Sequence, residues 1–107
     1  MITMWDDQEV ADNASRDGAK DHAPNEHGPW PERLRAAATA RQEWLPARLR
    51  DPADPLTLYR SFALGDLCEI VLLDTRIAGR DVQPDDDGTL PYDDPRRSML
   101  GDAQREW

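Results

Sequence analysis

The residues with the clearest chemical potential are four acidic side chains that lie within seven positions near the start of the chain. Asp6, Asp7, Glu9 and Asp12 are followed by Asn13, which adds an amide oxygen. Oxygen ligands of this kind suit calcium, magnesium or iron better than metals that prefer thiolates. Residues 1–4 resemble the end of a strand, and open α/β sheets bind ligands at that edge. The segment is therefore a candidate metal or catalytic site, and the alternatives are a weak calcium-binding loop or a solvated acidic loop.

Two histidines and a second acidic run are further candidates. His22 and His27 carry imidazole, a common metal ligand. Their five-residue separation in a loop rich in Pro and Gly is not the spacing of ligands on a regular element, and a surface position is the favoured interpretation. The run from Asp85 to Gly88 lacks the spaced ligands and the distal Glu of an EF-hand, so we interpret it as a solvated turn.

Basic side chains near the predicted strands offer phosphate contacts. Arg60 and the tripeptide Asp74-Thr75-Arg76 are candidates, because guanidinium groups match the geometry of phosphate. The alternative, which we favour for the tripeptide, is that Asp74 and Arg76 close a strand through an ion pair and turn hydrogen bonds.

The strongest element to position these residues is a helix over about 31–45. Pro31 suits a first helical position, apolar residues recur at three- and four-residue spacing, and Pro46 ends the pattern. Trp30 and Trp44 are predicted to lie in the core.

An antiparallel strand pair is predicted over about 58–63 and 67–73, because Gly65-Asp66 is a hairpin-type turn signal. The apolar run 70–73 predicts a second strand that is buried on both faces. The single cysteine, Cys68, is predicted to be a small buried hydrophobic residue, since no second cysteine is available for a disulfide or a metal clip.

Composition limits the classes of function. The 107 residues carry 22 Asp and Glu against 13 Lys and Arg, a formal net charge of −9. No basic stripe is present for a nucleic acid, and no apolar run approaches a transmembrane segment. With 38% hydrophobic residues, we expect that either part of the chain stays unfolded or a partner supplies the missing core. The polar stretch over 6–29 is interpreted as an active loop or a tail.

The segment from Trp5 to Asn13 resembles the WDDHE-x-x-x-N motif of PhoD-type alkaline phosphatases, which are metallophosphoesterases. Similar motifs follow in the same order almost to the end of the chain: Asp17-Gly18-Ala19 with His22, Gly28-x-Trp30-x-x-Arg33, Glu43-Trp44-Leu45-Pro46-x-Arg48, Tyr59-Arg60-Ser61-Phe62 with Gly65-Asp66-Leu67, Leu73-Asp74-Thr75-Arg76, Arg80-Asp81, and Met99-Leu100-Gly101 with Gln104-x-x-Trp107. The set is specific, although each short piece alone is not.

The resemblance implies an α/β fold, here part of an α-β-β-α sandwich with long loops, and a bimetal site of calcium and iron that hydrolyses phosphate esters. By the same resemblance Asp7 stands at the metal-binding Asn position, Asp6, Glu9 and Asn13 join the metal ligands, and His22 and Arg60 are on the substrate side. Gln8 stands where the family has a catalytic His. A glutamine amide can offer only neutral hydrogen bonds, so turnover should be low.

We therefore expect residues 1–107 to be an internal fragment of one PhoD-like metallophosphatase domain, with the remainder upstream and downstream and with weak or no activity alone. The family is typically exported, and this chain carries no signal of its own. The alternative function is a non-catalytic acidic interaction module that folds on a partner.

Overall fold

A computed structural model describes residues 1–86 and 90–107. Its elements follow one another as helix α1 (Pro24–His27), helix α2 (Trp30–Trp44), strand β1 (Arg60–Leu64), strand β2 (Cys68–Leu72), a 3-10 turn (Pro84–Asp86) and helix α3 (Gly101–Glu106). The predicted class is confirmed at this level: a small α/β structure with one main helix and an antiparallel strand pair.

Helix α2 agrees with its prediction to within one residue at each end. It starts after Pro29, whose backbone is extended, and it stops at Trp44 because Leu45 turns to an extended conformation ahead of a proline. Its buried residues, Trp30, Leu34 and Ala38, recur every fourth position and form one stripe.

The core position predicted for Trp44 is wrong. The side chain of Trp44 is 82% exposed, whereas that of Trp30 is 6% exposed. No residue of α2 after Ala38 is buried. The end of the helix, with Trp44, therefore extends beyond the packed core.

The hairpin forms as predicted, with Phe62 of β1 opposite Ile70 of β2. Gly65 lies in the turn with φ of 55°, a conformation that favours glycine. The burial predicted for β2 is wrong, since Val71 is 54% exposed and Cys68 is exposed as well. Among the described elements, β1 and β2 pack only on each other, so no helix or further strand covers this sheet.

The start of the chain forms no strand, which corrects the prediction for residues 1–4. The stretch over 6–29 packs into the core rather than leaving it as a tail. The indole N–H of Trp30 donates to the carbonyl oxygens of Ser15 and Arg16, at 3.3 and 3.1 Å. Loop, helix and later segments share one cluster of buried side chains: Trp5, Ala14, Ala19, Trp30, Leu34, Ala38, Leu58 and Ile77.

No helix in the described part of the chain is long and apolar enough to cross a membrane.

Candidate functional site

The acidic segment is a folded loop that Trp5 anchors. Trp5 is 4% exposed, and its indole N–H donates to the carbonyl oxygen of Leu56 at 3.2 Å. At the other end of the loop, the N–H of Ala14 donates to the carbonyl oxygen of Asp7 at 3.3 Å, and Asn13 adopts a φ of 52°. Asn tolerates this conformation better than most residues, so the loop reverses direction there. The anchors hold the backbone of the acidic residues against the core.

The side chains of the loop point in different directions. Those of Asp6, Gln8 and Glu9 are exposed, while Asp7 and Asn13 are half-buried. A carboxylate oxygen of Glu9 accepts the backbone N–H of Asp6 at 2.8 Å, which turns Glu9 back along the loop. The loop thus presents Asp7 toward the protein and its neighbours toward solvent.

Asp7 is paired with an arginine from a distant part of the sequence. The distance between the carboxylate of Asp7 and the guanidinium of Arg76 is 3.6 Å, and only 17% of the Arg76 side chain is exposed. The Nη1 nitrogen of Arg76 is buried and has no hydrogen-bond partner among the described residues. The predicted ion pair of Arg76 with Asp74 is therefore wrong, because the guanidinium pairs with Asp7.

Asp74 shapes the turn that carries Arg76. Its fully buried carboxylate accepts the backbone N–H groups of Arg76, Ile77 and Ala78 at 2.8, 2.9 and 3.2 Å. Burial raises the pKa of Asp74, and these three hydrogen bonds act in the opposite direction. The turn hydrogen bonds predicted for Asp74 are confirmed. They direct the chain so that Arg76 reaches the acidic loop.

The calcium and iron implied by the resemblance can be tested against these contacts. Carboxylate and amide oxygens are suitable donors for calcium. Across residues 1–86 and 90–107, however, no three His, Cys, Asp or Glu side chains converge closely enough to hold an ion. Asp7 is engaged by Arg76, and Asp6 and Glu9 face solvent. The residues present do not fit a complete metal site.

The two histidines lie together on another part of the surface. Their ring centroids are 5.8 Å apart, and Arg33 donates to Nδ1 of His22 at 3.3 Å. Burial lowers the pKa of His22, and the nearby charges of Arg33 and His27 lower it further. No hydrogen bond or ion pair between described residues joins His22 to the acidic loop. Its role on the substrate side stays a prediction.

Arg60 is held by other groups. Its guanidinium donates to the carbonyl oxygen of Arg48 at 2.6 Å and lies 4.8 Å from the ring centroid of Phe62. Contact with phosphate stays a prediction for this residue. In the other acidic run, Asp85 and Asp86 lie in the 3-10 turn, and Asp87 and Gly88 lie outside the described residues.

The sequence interpretation missed Arg41 as a neighbour of the acidic loop. Arg41 donates to the Thr3 hydroxyl, and its guanidinium carbon lies 5.5 Å from the ring centroid of Trp5. A cavity of about 350 Å³ opens between this arginine, Trp5 and Glu9. Helical periodicity placed Arg41 on α2, but nothing in the sequence indicated that it would lie over Trp5.

Comparison with known proteins connects this geometry to a family. The model of the PhoD-like phosphatase family matches residues 1–107. The chain is 35% identical over 113 residues to alkaline phosphatase D of Bacillus subtilis (strain 168), a match that covers 99% of this chain and 19% of that protein. A solved structure described as "Structure of PhoD" superposes with a TM-score of 0.75 at 34% identity, over 99% of this chain and 21% of that one. The chain spans about a fifth of the length of these relatives. Because the family model matches every residue, and because relatives match the chain in both sequence and structure, the chain belongs to the PhoD-like phosphatase family.

Proposed function

We propose that the protein acts as a phosphoric ester hydrolase on phosphomonoesters and phosphodiesters. We propose also that the acidic loop, with Asp7 and Gln8, forms one side of its active site. The observation that carries the proposal is the family match over residues 1–107. The resemblance of residues 5–13 to the family motif implies, in addition, that Asp7 stands at a metal-binding position. Asp7 also lies beside Arg76, whose charge attracts a phosphate as well as a carboxylate.

The contacts of the loop suit a site that must stay in place during a reaction. Trp5 and Ala14 are buried on either side of the acidic residues, so the backbone of the loop is fixed at two points. Asp7 is then held by the guanidinium of Arg76 at 3.6 Å. Groups that are positioned in advance need little reorganisation when the substrate binds.

Gln8 limits the acid-base chemistry that the acidic loop can perform. Its exposed amide can donate to a phosphate oxygen, but it cannot carry a proton to a leaving group as histidine can. General acid-base assistance contributes about 10² to 10⁴ in rate. We therefore expect slow hydrolysis, and less still from the 107 residues alone, because the ligands brought together here do not complete a metal site.

A chimeric enzyme tests this proposal. The 107 residues replace the matching 113-residue stretch of the Bacillus subtilis relative, and hydrolysis of an aryl phosphodiester is measured with calcium and iron added. We expect low but measurable turnover, and Gln8→His should raise kcat by about 10² or more. The matched control is Gln42→His on the exposed side of α2, which should leave the rate unchanged. No gain from Gln8→His would contradict the role of this position, and a chimera inactive in both forms would contradict the proposed function.

One observation favours the second candidate, a non-catalytic acidic module that folds on a partner. The hairpin exposes a group of apolar side chains, among them Leu67 at 87%, Val71 at 54% and Leu73 at 47%. Exposed apolar surface of this kind marks a contact with another segment or protein. Circular dichroism tests whether the chain folds without a partner. Helical signal with cooperative thermal unfolding shows that it does, which contradicts the module, whereas a featureless spectrum with no gain on adding metal supports the module or an isolated fragment of the phosphatase domain.

Export of the whole protein, as the resemblance implies, stays a prediction, and cell fractionation would test it.

A further inference from the structure

Two arginines, Arg80 and Arg97, line a cavity that is distinct from the one beside the acidic loop. The cavity has a volume of about 360 Å³ and is lined by Arg80, Gln83, Tyr92, Arg97, Ser98 and Met99. Two guanidinium groups thus face one small space in a chain whose net charge is −9.

Arg80 lacks a partner for its charge. Within residues 1–86 and 90–107, its guanidinium makes no hydrogen bond and no ion pair, although the residue is half-buried. Burial lowers the pKa of Arg80, and the like charges of Arg76 and Arg97 lower it further; Tyr92 and the carboxylate of Asp86 raise it by smaller amounts. A half-buried cation whose surrounding charges are mostly positive is unfavourable, so an anion in the cavity would stabilise it.

Arg97, the second arginine of the cavity, is fixed by backbone groups. One of its nitrogens, Nη1, donates to the carbonyl oxygens of Val82 and Leu90 at 3.1 and 3.0 Å. These bonds occupy one edge of the planar group and leave its other N–H donors available. Because two backbone segments hold the side chain, little conformational freedom remains to be lost when a ligand binds.

Two of the nearby acidic residues, Asp81 and Asp85, bind other groups. Asp81 pairs with Arg16 at 2.9 Å and accepts the backbone N–H of Ser98 at 2.6 Å. Asp85 accepts the hydroxyl of Tyr92 at 2.9 Å. Neither carboxylate is bonded to Arg80 or Arg97. Asp86 offsets part of the charge of Arg80, but no ion pair joins the two among the described residues, so most of the positive charge is left for a ligand.

We propose that this cavity is a binding site for a small oxyanion, either inorganic phosphate or the phosphate group of a monoester, held between Arg80 and Arg97. Guanidinium groups bind phosphate oxygens through paired N–H donors, and the amide of Gln83 adds a further donor at the wall. The site is separate from the acidic loop and does not depend on hydrolysis there.

Nuclear magnetic resonance titration of the 107-residue chain with sodium phosphate tests the site, with sodium chloride at equal ionic strength as the comparison. We expect saturable shifts at residues that line the cavity with phosphate and none with chloride. Phenyl phosphate in a parallel titration shows whether an ester binds as well as the free ion does. The Arg80→Gln variant should bind phosphate about tenfold more weakly, because it loses a charge-assisted hydrogen bond.

A neighbouring arginine provides the matched control. Arg96 is next in sequence to Arg97, but its guanidinium binds Asp94 at 2.7 Å and does not line the cavity. Arg96→Gln should leave phosphate affinity unchanged, and Arg80→Lys, which keeps the charge and loses the planar fork, should weaken it less than Arg80→Gln. The proposal is overturned by equal shifts with chloride, by no shifts with phosphate, or by equal losses in the Arg80→Gln and Arg96→Gln variants.

Discussion

The side chain of Gln104 clamps the backbone of Asp74 from both sides. Its carbonyl oxygen accepts the N–H of Asp74, and its amide nitrogen donates to the carbonyl oxygen of Asp74, both at 2.7 Å. Both residues are buried, at 4% and 0% exposure. The clamp joins α3 to the turn that places Arg76 beside Asp7, so a residue near the end of the chain helps to position the acidic loop.

Removing this clamp should destabilise the fold. Gln104→Ala leaves the buried N–H and C=O of Asp74 without partners, and each unsatisfied group costs about 1–3 kcal/mol. We expect the free energy of unfolding to fall by about 2–4 kcal/mol in urea denaturation. Gln42→Ala, at an exposed position of α2, serves as the control and should change it by less than about 0.5 kcal/mol. Equal effects of the two substitutions would contradict the clamp.

Gly79 and Gly101 pack backbone against backbone. A Cβ atom on Gly79 would overlap the backbone of Leu100 and Gly101. Gly79→Ala should therefore destabilise the protein by about 1–3 kcal/mol, as overpacking does elsewhere. Gly18→Ala is the matched control, since its Cβ would lie 3.7 Å from Val82, an ordinary contact. Denaturation midpoints of the two variants measure the difference, and a tolerated Gly79→Ala would show that these segments do not pack as described.

Truncation of the two tryptophans of α2 should have very different effects on stability. Trp30→Ala removes a buried ring and should lower the free energy of unfolding by about 3–5 kcal/mol. Trp44→Ala removes a ring that is 82% exposed, and the change should stay within about 0.5 kcal/mol. Thermal or urea unfolding measures both. A large loss for Trp44→Ala would mean that its ring is covered in solution.

Arg76 should act on catalysis by positioning Asp7. In the chimeric enzyme, Arg76→Gln should lower kcat by up to about 10²-fold, because small displacements of a reacting group are costly. Arg76→Lys, which retains the charge, should recover part of that loss. Arg105→Gln is the control, since within the described part of the chain Arg105 pairs only with exposed Asp102 in α3. If Arg76→Lys were as slow as Arg76→Gln while both chains unfold at the wild-type urea midpoint, the charge of Arg76 would not be what positions Asp7.

His22 should make stability depend on pH. Its folded-state pKa is lowered, so the folded protein binds fewer protons than the unfolded chain, whose histidine pKa is about 6.5. Stability therefore rises with pH through this region and is lost as pH falls from about 6.5 toward the folded pKa. Urea midpoints between pH 5 and 8 should depend on pH less steeply in His22→Gln than in the wild type. A variant with an unchanged slope would contradict the assignment to His22.

Local signals in the sequence determined the elements that depend on neighbouring residues. The three- and four-residue spacing of apolar side chains, with prolines at both ends, determined α2, and the Gly65-Asp66 turn determined the hairpin. The ordered motifs indicated the family. Each of these features is encoded within a short stretch of chain or in the order of such stretches.

Only the tertiary structure decided which groups meet across long separations. Asp7 and Arg76 are 69 positions apart, and Asp74 and Gln104 are 30 apart, so no periodicity could pair them. Burial, too, was decided only by the tertiary structure. Trp30 and Trp44 are the same residue type on one helix, and one is buried and the other exposed because other segments cover only the first. Contact and burial depend on how segments pack together, and that information is not local to any of them.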